Sequence, residues 1–523
     1  MLRQDYNYLL FGLLFFISSW GIFPQGAGAQ NLKLPALFSD NMVIQREQES
    51  PIWGQSQPDT DVLISLGRVQ CIVKSDAGGK WGVKLPSLKP GGPFELIVEC
   101  GEEKIVLKNL MIGDVWICSG QSNMEWPLLK ALNGNEEAAA AKYPGIRLFM
   151  AKKQIAPDPL SDTQGRWQEC SPEAVKDFSG VGYFFGREIH KKLNVPIGLI
   201  QSAWGGTPIE SWMSVSALRS DPDFLPIYKK WKELIEKYPE AKKEHDLKLK
   251  EWEAVKKEAE KQGKPVPEWP LAPYGPSNPR QPNVLFNGMI QPLIPYGIKG
   301  VIWYQGESNF RRGYQYRKLF PVMIEDWRGR WGQGNFPFLF VQLPNYKSQS
   351  EKKYHWPEVR EAQLMCLAKA PNTGMAITID IGEPNDLHPP RKQEVGRRLA
   401  LAAMKIAYGQ DLVYSGPIYT KMTVTGERIA IEFDHADGGL VTRNEEPLKG
   451  FVIAGEDKNF VPAQAKIEGN SIIVWNDSVK KPAAVRYAWE SAPEANLYNK
   501  ANLPASPFRT DTWPGDSEGE NEP

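Results

Sequence analysis

Residues 113–126 read Gly113-Asp-Val-Trp-Ile-Cys-Ser-Gly-Gln-Ser-Asn-Met-Glu-Trp126, and this stretch decides the fold. An apolar run, Val115 to Cys118, stops abruptly in a polar cluster around Ser122. A parallel strand that ends this way carries a side chain to the open edge of a sheet, where open α/β folds place their chemistry. Far downstream, Asn385-Asp-Leu-His-Pro389 follows another apolar run, Met375 to Ile381. That segment supplies an imidazole and a carboxylate, the two groups that turn a serine into a nucleophile.

Three more apolar runs, at 197–203, 300–304 and 336–343, repeat the pattern. Helical periodicity falls between or after the runs, at 179–193, 314–327, 359–370 and 392–408. Fully apolar strands alternating with amphipathic helices predict a parallel sheet covered on both faces. Each run also ends in polar residues: Trp204-Gly205-Gly206-Thr207, then Gln305-Gly306-Glu307-Ser308-Asn309, then Gln342 with Asn345 nearby, then Glu383, Asp386 and His388. In a parallel sheet these loops converge on one edge.

The flanks differ from this core. The first 29 residues have the form of a secretion signal: Arg3, an apolar stretch from Leu9 to Phe23, and Ala27-Gly28-Ala29 before Gln30. That stretch is short for a membrane span, which needs about 20 residues, so the expectation is an exported protein, periplasmic or extracellular. Residues 30–110 alternate short β-rich stretches with Gly, Pro and Asp turns and predict a small β-sandwich. The core spans 111–410, interrupted at about 216–282 by a Lys- and Glu-dense insertion expected to be a pair of exposed helices and a Pro-rich loop. Strand-like segments return from 411 to 513, and 514–523 form an acidic tail expected to be disordered.

At 523 residues, about three domains are expected. Sixty-two basic residues balance 62 acidic ones, so no basic surface points to nucleic acid or anionic lipid. Five cysteines are too few and too scattered for a disulfide framework, although Cys71 and Cys100 lie in one strand-rich region and could pair. No CxxC or HExxH spacing is present, and neither a metal nor a cofactor is expected. The 18 tryptophans are core residues in the main, with sugar-stacking platforms among them as the functional alternative.

Ser122 is the candidate nucleophile, with Ser119 and Ser202 as rivals at strand ends. The turn is not G-x-S-x-G, because Met124 occupies the place of the second glycine. Of five histidines, only His388 follows a core strand with carboxylates beside it. Asp386 is the first choice to orient its imidazole; Glu307 opens onto the same edge and is the alternative. An ester's tetrahedral oxyanion needs donors worth about 3 kcal/mol each. The Ser122 amide, Gly205 or Gly206, and a side-chain amide from Gln305 or Asn309 are the candidates.

With these residues assembled, the chain resembles the sialate O-acetylesterase family of carbohydrate esterases, within the SGNH (GDSL-like) hydrolases. The resemblance is carried by 113–124, by Trp204-Gly-Gly-Thr-Pro-Ile-Glu-Ser-Trp212, by Gly300-Val-Ile-Trp-Tyr-Gln-Gly-Glu-Ser-Asn309 and by Asp386-Leu-His-Pro389, and it extends over about 34–410. It implies a flavodoxin-like three-layer α/β/α core and removal of O-acetyl groups from sugars. It also implies Ser122 as nucleophile, His388 with Asp386 as base and orienter, and Gly205 or Gly206 with Gln305 around the oxyanion. The superfamily places its carboxylate three residues before the histidine, where this chain has Asn385, and that leaves room for Glu307. The implied partner is an O-acetylated sialic acid or another acetylated glycan. Acetylated xylan is the sibling reading, and a glycan-binding protein without catalysis is a third. Arg280, Arg311 and Arg312 are the candidate loop cations for a sialate carboxylate, with surface salt bridging as their other reading.

Overall fold

A computed structural model describes residues 32–347, 355–436 and 438–522. The expected signal segment, 1–29, lies outside the described residues. The core is a sheet whose central strand is Glu103–Gly120. On one side it pairs with Ile197–Ala203, which pairs with Tyr143–Met150. On the other it pairs with Gly300–Tyr304, followed by Phe338–Val341 and Thr373–Ala376. All these pairings are parallel; Trp167–Cys170 closes one edge antiparallel. The chain builds one side of the central strand first and the other side afterwards. The strand order therefore reverses at the end of Glu103–Gly120, the place where such sheets open a crevice.

Period-two alternation sends neighbouring side chains to opposite faces. Val115, Ile117, Ile200, Val301 and Trp303 pack with Leu319, Phe320 and Trp327 of the Gly313–Trp331 helix and Val359 of the Trp356–Lys369 helix. Trp116, Cys118, Leu199, Ile302 and Tyr304 face the other way, onto Phe184, Phe185, Val395 and Leu399 of the Gly180–Leu193 and Lys392–Ile406 helices. A mixed α/β fold with a parallel sheet between helices results.

The flanks correct several expectations. The expected boundary at 110/111 falls inside one continuous strand. Its first part pairs with Gly91–Cys100 of the N-terminal β region and its last part with the core. The strands at 143–150 and 167–170 are additional to the five expected, because polar residues interrupt their apolar pattern. The insertion is one helix, Leu225–Lys261, with Pro239 inside it, rather than a pair. No glycine offers a turn between 225 and 261. The proline removes one hydrogen bond without ending the helix. All five cysteines are free, so Cys71 and Cys100 are unpaired.

The C-terminal strands form antiparallel sheets around a separate small core that includes Ile429, Ile431, Val474 and Phe508. The acidic tail is docked: Glu358 accepts from the Asp516 and Ser517 amides, and Ser517 is buried. Among the described residues no helix is long and apolar enough to cross a membrane.

Candidate active site

Sheet register brings three loops together. Gly120 stands opposite Ala203 on one side and Tyr304 on the other, so all three strands end at one level. The Gln121 amide donates to the Tyr304 carbonyl (2.9 Å), and the Trp204 amide to the Gly120 carbonyl (3.1 Å). Gly120 has φ +136°, and a Cβ there would lie 2.1 Å from the Tyr304 oxygen. Only glycine meets both conditions. The next turn starts the short helix Ser122–Glu125 and leaves Ser122 partly exposed at its head. The rivals point inward: Ser119 donates to the Ser202 carbonyl (2.6 Å) and Ser202 to the Met289 carbonyl (2.9 Å), both fully buried.

His388 comes from the loop after the last core strand, and its Nε2 lies 2.8 Å from Ser122 Oγ. The Trp126 indole stacks on the imidazole, with ring centroids 4.6 Å apart and planes 15° from parallel. The loop is pinned by Asp386, whose Oδ1 accepts the His388 backbone N–H at 2.8 Å. This differs from the expected bond to the ring: the short Asp386-Leu387-His388 spacing closes a turn onto the main chain. Among the described residues, the imidazole's one hydrogen bond is to Ser122. Glu307 does not take the ring either. Its Oε1 accepts from Asn123 Nδ2, and its Oε2 is buried without a partner among the described residues.

Burial lowers the His388 pKa below the ordinary histidine value. The charges of Lys392 and Lys130 act in the same direction, and Asp386 opposes them. Burial raises the Glu307 carboxyl, against its bond from Asn123 and the charge of Lys392.

The expected oxyanion donors divide. Among the described residues, neither the Ser122 nor the Gly206 amide has a protein acceptor, and both residues line the pocket. Gly205 does not offer its amide, which donates to Glu125 Oε2 at 2.7 Å. Gln305 and Asn309 are buried and consumed in the scaffold. Gln305 Nε2 donates to Asn309 Oδ1 (2.7 Å), and its Oε1 accepts from Tyr316. Asn309 Nδ2 donates to Glu210 (3.0 Å), and its Oδ1 also accepts from the Ile209 amide. Both amides therefore join the 204–212 loop to the 305–312 segment and do not face the nucleophile. Arg312 belongs to this scaffold as well, buried and paired with Glu210.

The pocket over Ser122 has a volume of about 390 Å³ and includes Gly206, Arg280, Phe310, Tyr346, Trp356 and His388 in its wall. Arg280 lies at the end of the insertion and donates to the Gly206 carbonyl (2.5 Å). Arg311 is exposed and does not line the pocket. A larger cavity, about 690 Å³, lies against Trp53 and Trp331. No serine, threonine, cysteine or histidine lines it. Among the described residues, His355, Glu358 and Asp516 form one group with ligand atoms within 4.8 Å of one another. There the Glu358 oxygens already hold the tail's amides.

Sequence reading missed Asn123, Glu125, Trp126 and Lys392. The first three stand within the quoted 113–126 stretch, which was itself the available signal. Lys392 stands four residues after the histidine at a helix start, where lysine is ordinary, and nothing but tertiary packing reveals that it is buried.

A family model described as "Carbohydrate esterase, sialic acid-specific acetylesterase" matches residues 112–252 and 283–405. The human sialate O-acetylesterase is 30% identical over 97% of this chain and 98% of its own length. The rat sialate O-acetylesterase is 31% identical over 92% and 95%. The crystal structure of a carbohydrate acetylesterase from Xanthomonas citri superposes with a TM-score of 0.79 at 38% identity, covering 92% of this chain and 100% of that one.

Proposed function

The chain belongs to the family of sialic acid-specific carbohydrate acetylesterases, and from that premise we propose that it removes acetyl groups from sialic acids through an acyl-enzyme on Ser122. One observation carries the mechanism: Ser122 Oγ and His388 Nε2 stand 2.8 Å apart at the floor of an accessible pocket. Neutral His388 takes the hydroxyl proton as Oγ bonds to the acetyl carbon. The carbonyl oxygen becomes an oxyanion, which the Ser122 and Gly206 amides meet as hydrogen-bond donors. On collapse, the bond from the acetyl carbon to the sugar oxygen breaks. That oxygen takes the proton from His388, and the acetyl group stays on Ser122. Water then attacks with His388 again as base; acetate leaves and Ser122 recovers its proton. Asp386 acts by holding the histidine's backbone and by placing a negative charge beside the imidazolium.

A parallel sheet with helices on both faces, ending with the Lys392–Ile406 helix, supports reading that layered region as an SGNH-type core. The apolar stretch from Leu9 to Phe23 supports export. Arg280 in the pocket wall supports an anionic sugar over neutral acetylated xylan. The direct test is Ser122→Ala, with acetate release followed on O-acetylated sialic acid. Turnover should fall about 10,000-fold or more while circular dichroism stays unchanged. Retained turnover in a folded variant would remove Ser122 from the mechanism.

A further inference from the structure

Beneath the pocket, one buried amide connects the nucleophile turn, the histidine loop and Glu307. Asn123 follows the nucleophile and is fully buried. Its Nδ2 donates to the Leu387 carbonyl (3.0 Å), the residue before His388, and to Glu307 Oε1. Its Oδ1 accepts from the Nζ of Lys392. Lys392 opens the Lys392–Ile406 helix and is 1% exposed. Among the described residues it forms no salt bridge. Its ammonium stands 5.4 Å from the Tyr304 ring and 5.8 Å from the Trp126 ring, the same indole that stacks on His388.

A buried ammonium without a direct counter-ion is costly, and an apolar side chain would fill the volume more cheaply. Its position beneath the histidine loop points to use. We propose that Lys392 is a positioning residue, its buried ammonium locking the nucleophile turn to the histidine loop through Asn123 and setting a positive charge behind the Trp126 ring that stacks on His388. The proposal rests on Ser122 and His388 acting as nucleophile and base.

The surrounding charges support the direction. Facing His388 are Lys392 from its helix, Lys130 from the 128–130 turn, and Asp386 from its own loop; Arg280 shares the pocket, and Glu307 is one amide away. Facing Lys392 are Glu307 and Asp386, which favour its charge, while burial lowers its pKa to about 7. On the acid side, where His388 titrates, Lys392 is charged. A cation there opposes imidazolium formation, so the neutral base persists to lower pH.

Two measurements test this. In the wild-type protein, the His388 ring, assigned by its loss in His388→Gln, should titrate in NMR below the ordinary histidine value of about 6.5. A ring that titrates at or above that value overturns the proposal without any Lys392 variant. In Lys392→Met, the acid limb of kcat/KM for 4-nitrophenyl acetate should move up by about 0.5–1 pH unit, with kcat down about tenfold. A folded Lys392→Met or Lys392→Gln with lowered kcat and an unmoved acid limb reduces Lys392 to a packing residue and overturns the proposal. Activity retained by Ser122→Ala would instead strike the catalytic reading, and the His388 titration compared between wild type and Lys392→Met would still report on Lys392.

Discussion

The 305–315 segment and the Leu225–Lys261 helix are both crowded with polar and charged residues, and the fold treats them oppositely. In the first, Gln305, Glu307, Asn309, Arg312 and Gln315 are buried. Arg312 pairs with Glu210 and donates to Gln315, and Asn309 donates to Glu210. In the second, only Ile227, Trp231 and Ala259 are buried, and pairs such as Lys232–Glu236 face water. Composition alone does not separate the two. Burial forces each polar atom to find a partner, so the 305–315 segment holds the site's loops together. Water satisfies the helix's charges, so its pairs position little.

Three substitutions probe that contrast in descending order of effect. Glu210→Ala removes the carboxylate that pairs with Arg312 and accepts from the Asn309 amide, and leaves Arg312 with Gln315 but no counter-ion. Urea unfolding should show a loss of about 3–5 kcal/mol; a loss below about 1 kcal/mol would place this network on a par with a surface pair. Arg280→Gln asks whether the insertion contributes to the site at all. It should lower kcat/KM about tenfold on O-acetylated sialic acid, the scale of one charged hydrogen bond, and less on acetylated xylo-oligosaccharides. Equal losses on both sugars would leave Arg280 as a brace on Gly206 only. Lys232→Ala removes one arm of an exposed pair and should change stability by about 0.5 kcal/mol or less. A larger effect in thermal unfolding would erase the distinction between the two regions.

Much of the architecture was legible because it follows from period and punctuation. The runs at 197–203 and 300–304 are strands with the expected bounds, and the four core helices begin and end within a few residues of their patterns. The site was legible where chemistry is rare. Of five histidines only His388 follows a core strand, in the loop beyond Thr373–Ala376, and the structure brings it to Ser122. Orientation was not legible. Gln305 and Asn309 stand where oxyanion donors were expected, yet their amides turn into the scaffold because Glu210, Thr207 and Tyr316 offer partners there. Asp386 turns to the main chain for the same kind of reason: the nearest donor is its own loop's amide.

By itself, the sequence determined the central core strands and the four helices that cover them, that the strands' polar ends share one edge, and which serine and histidine were the first candidates to meet there. These follow from hydrophobic alternation and turn chemistry, both local properties of the chain. The tertiary structure alone decided which amides remain open to a substrate, where Asp386 and Glu307 direct their oxygens, and that Lys392 is sealed beneath the site. Those outcomes depend on which donor and acceptor lie nearest once distant segments pack, and no local pattern encodes that distance.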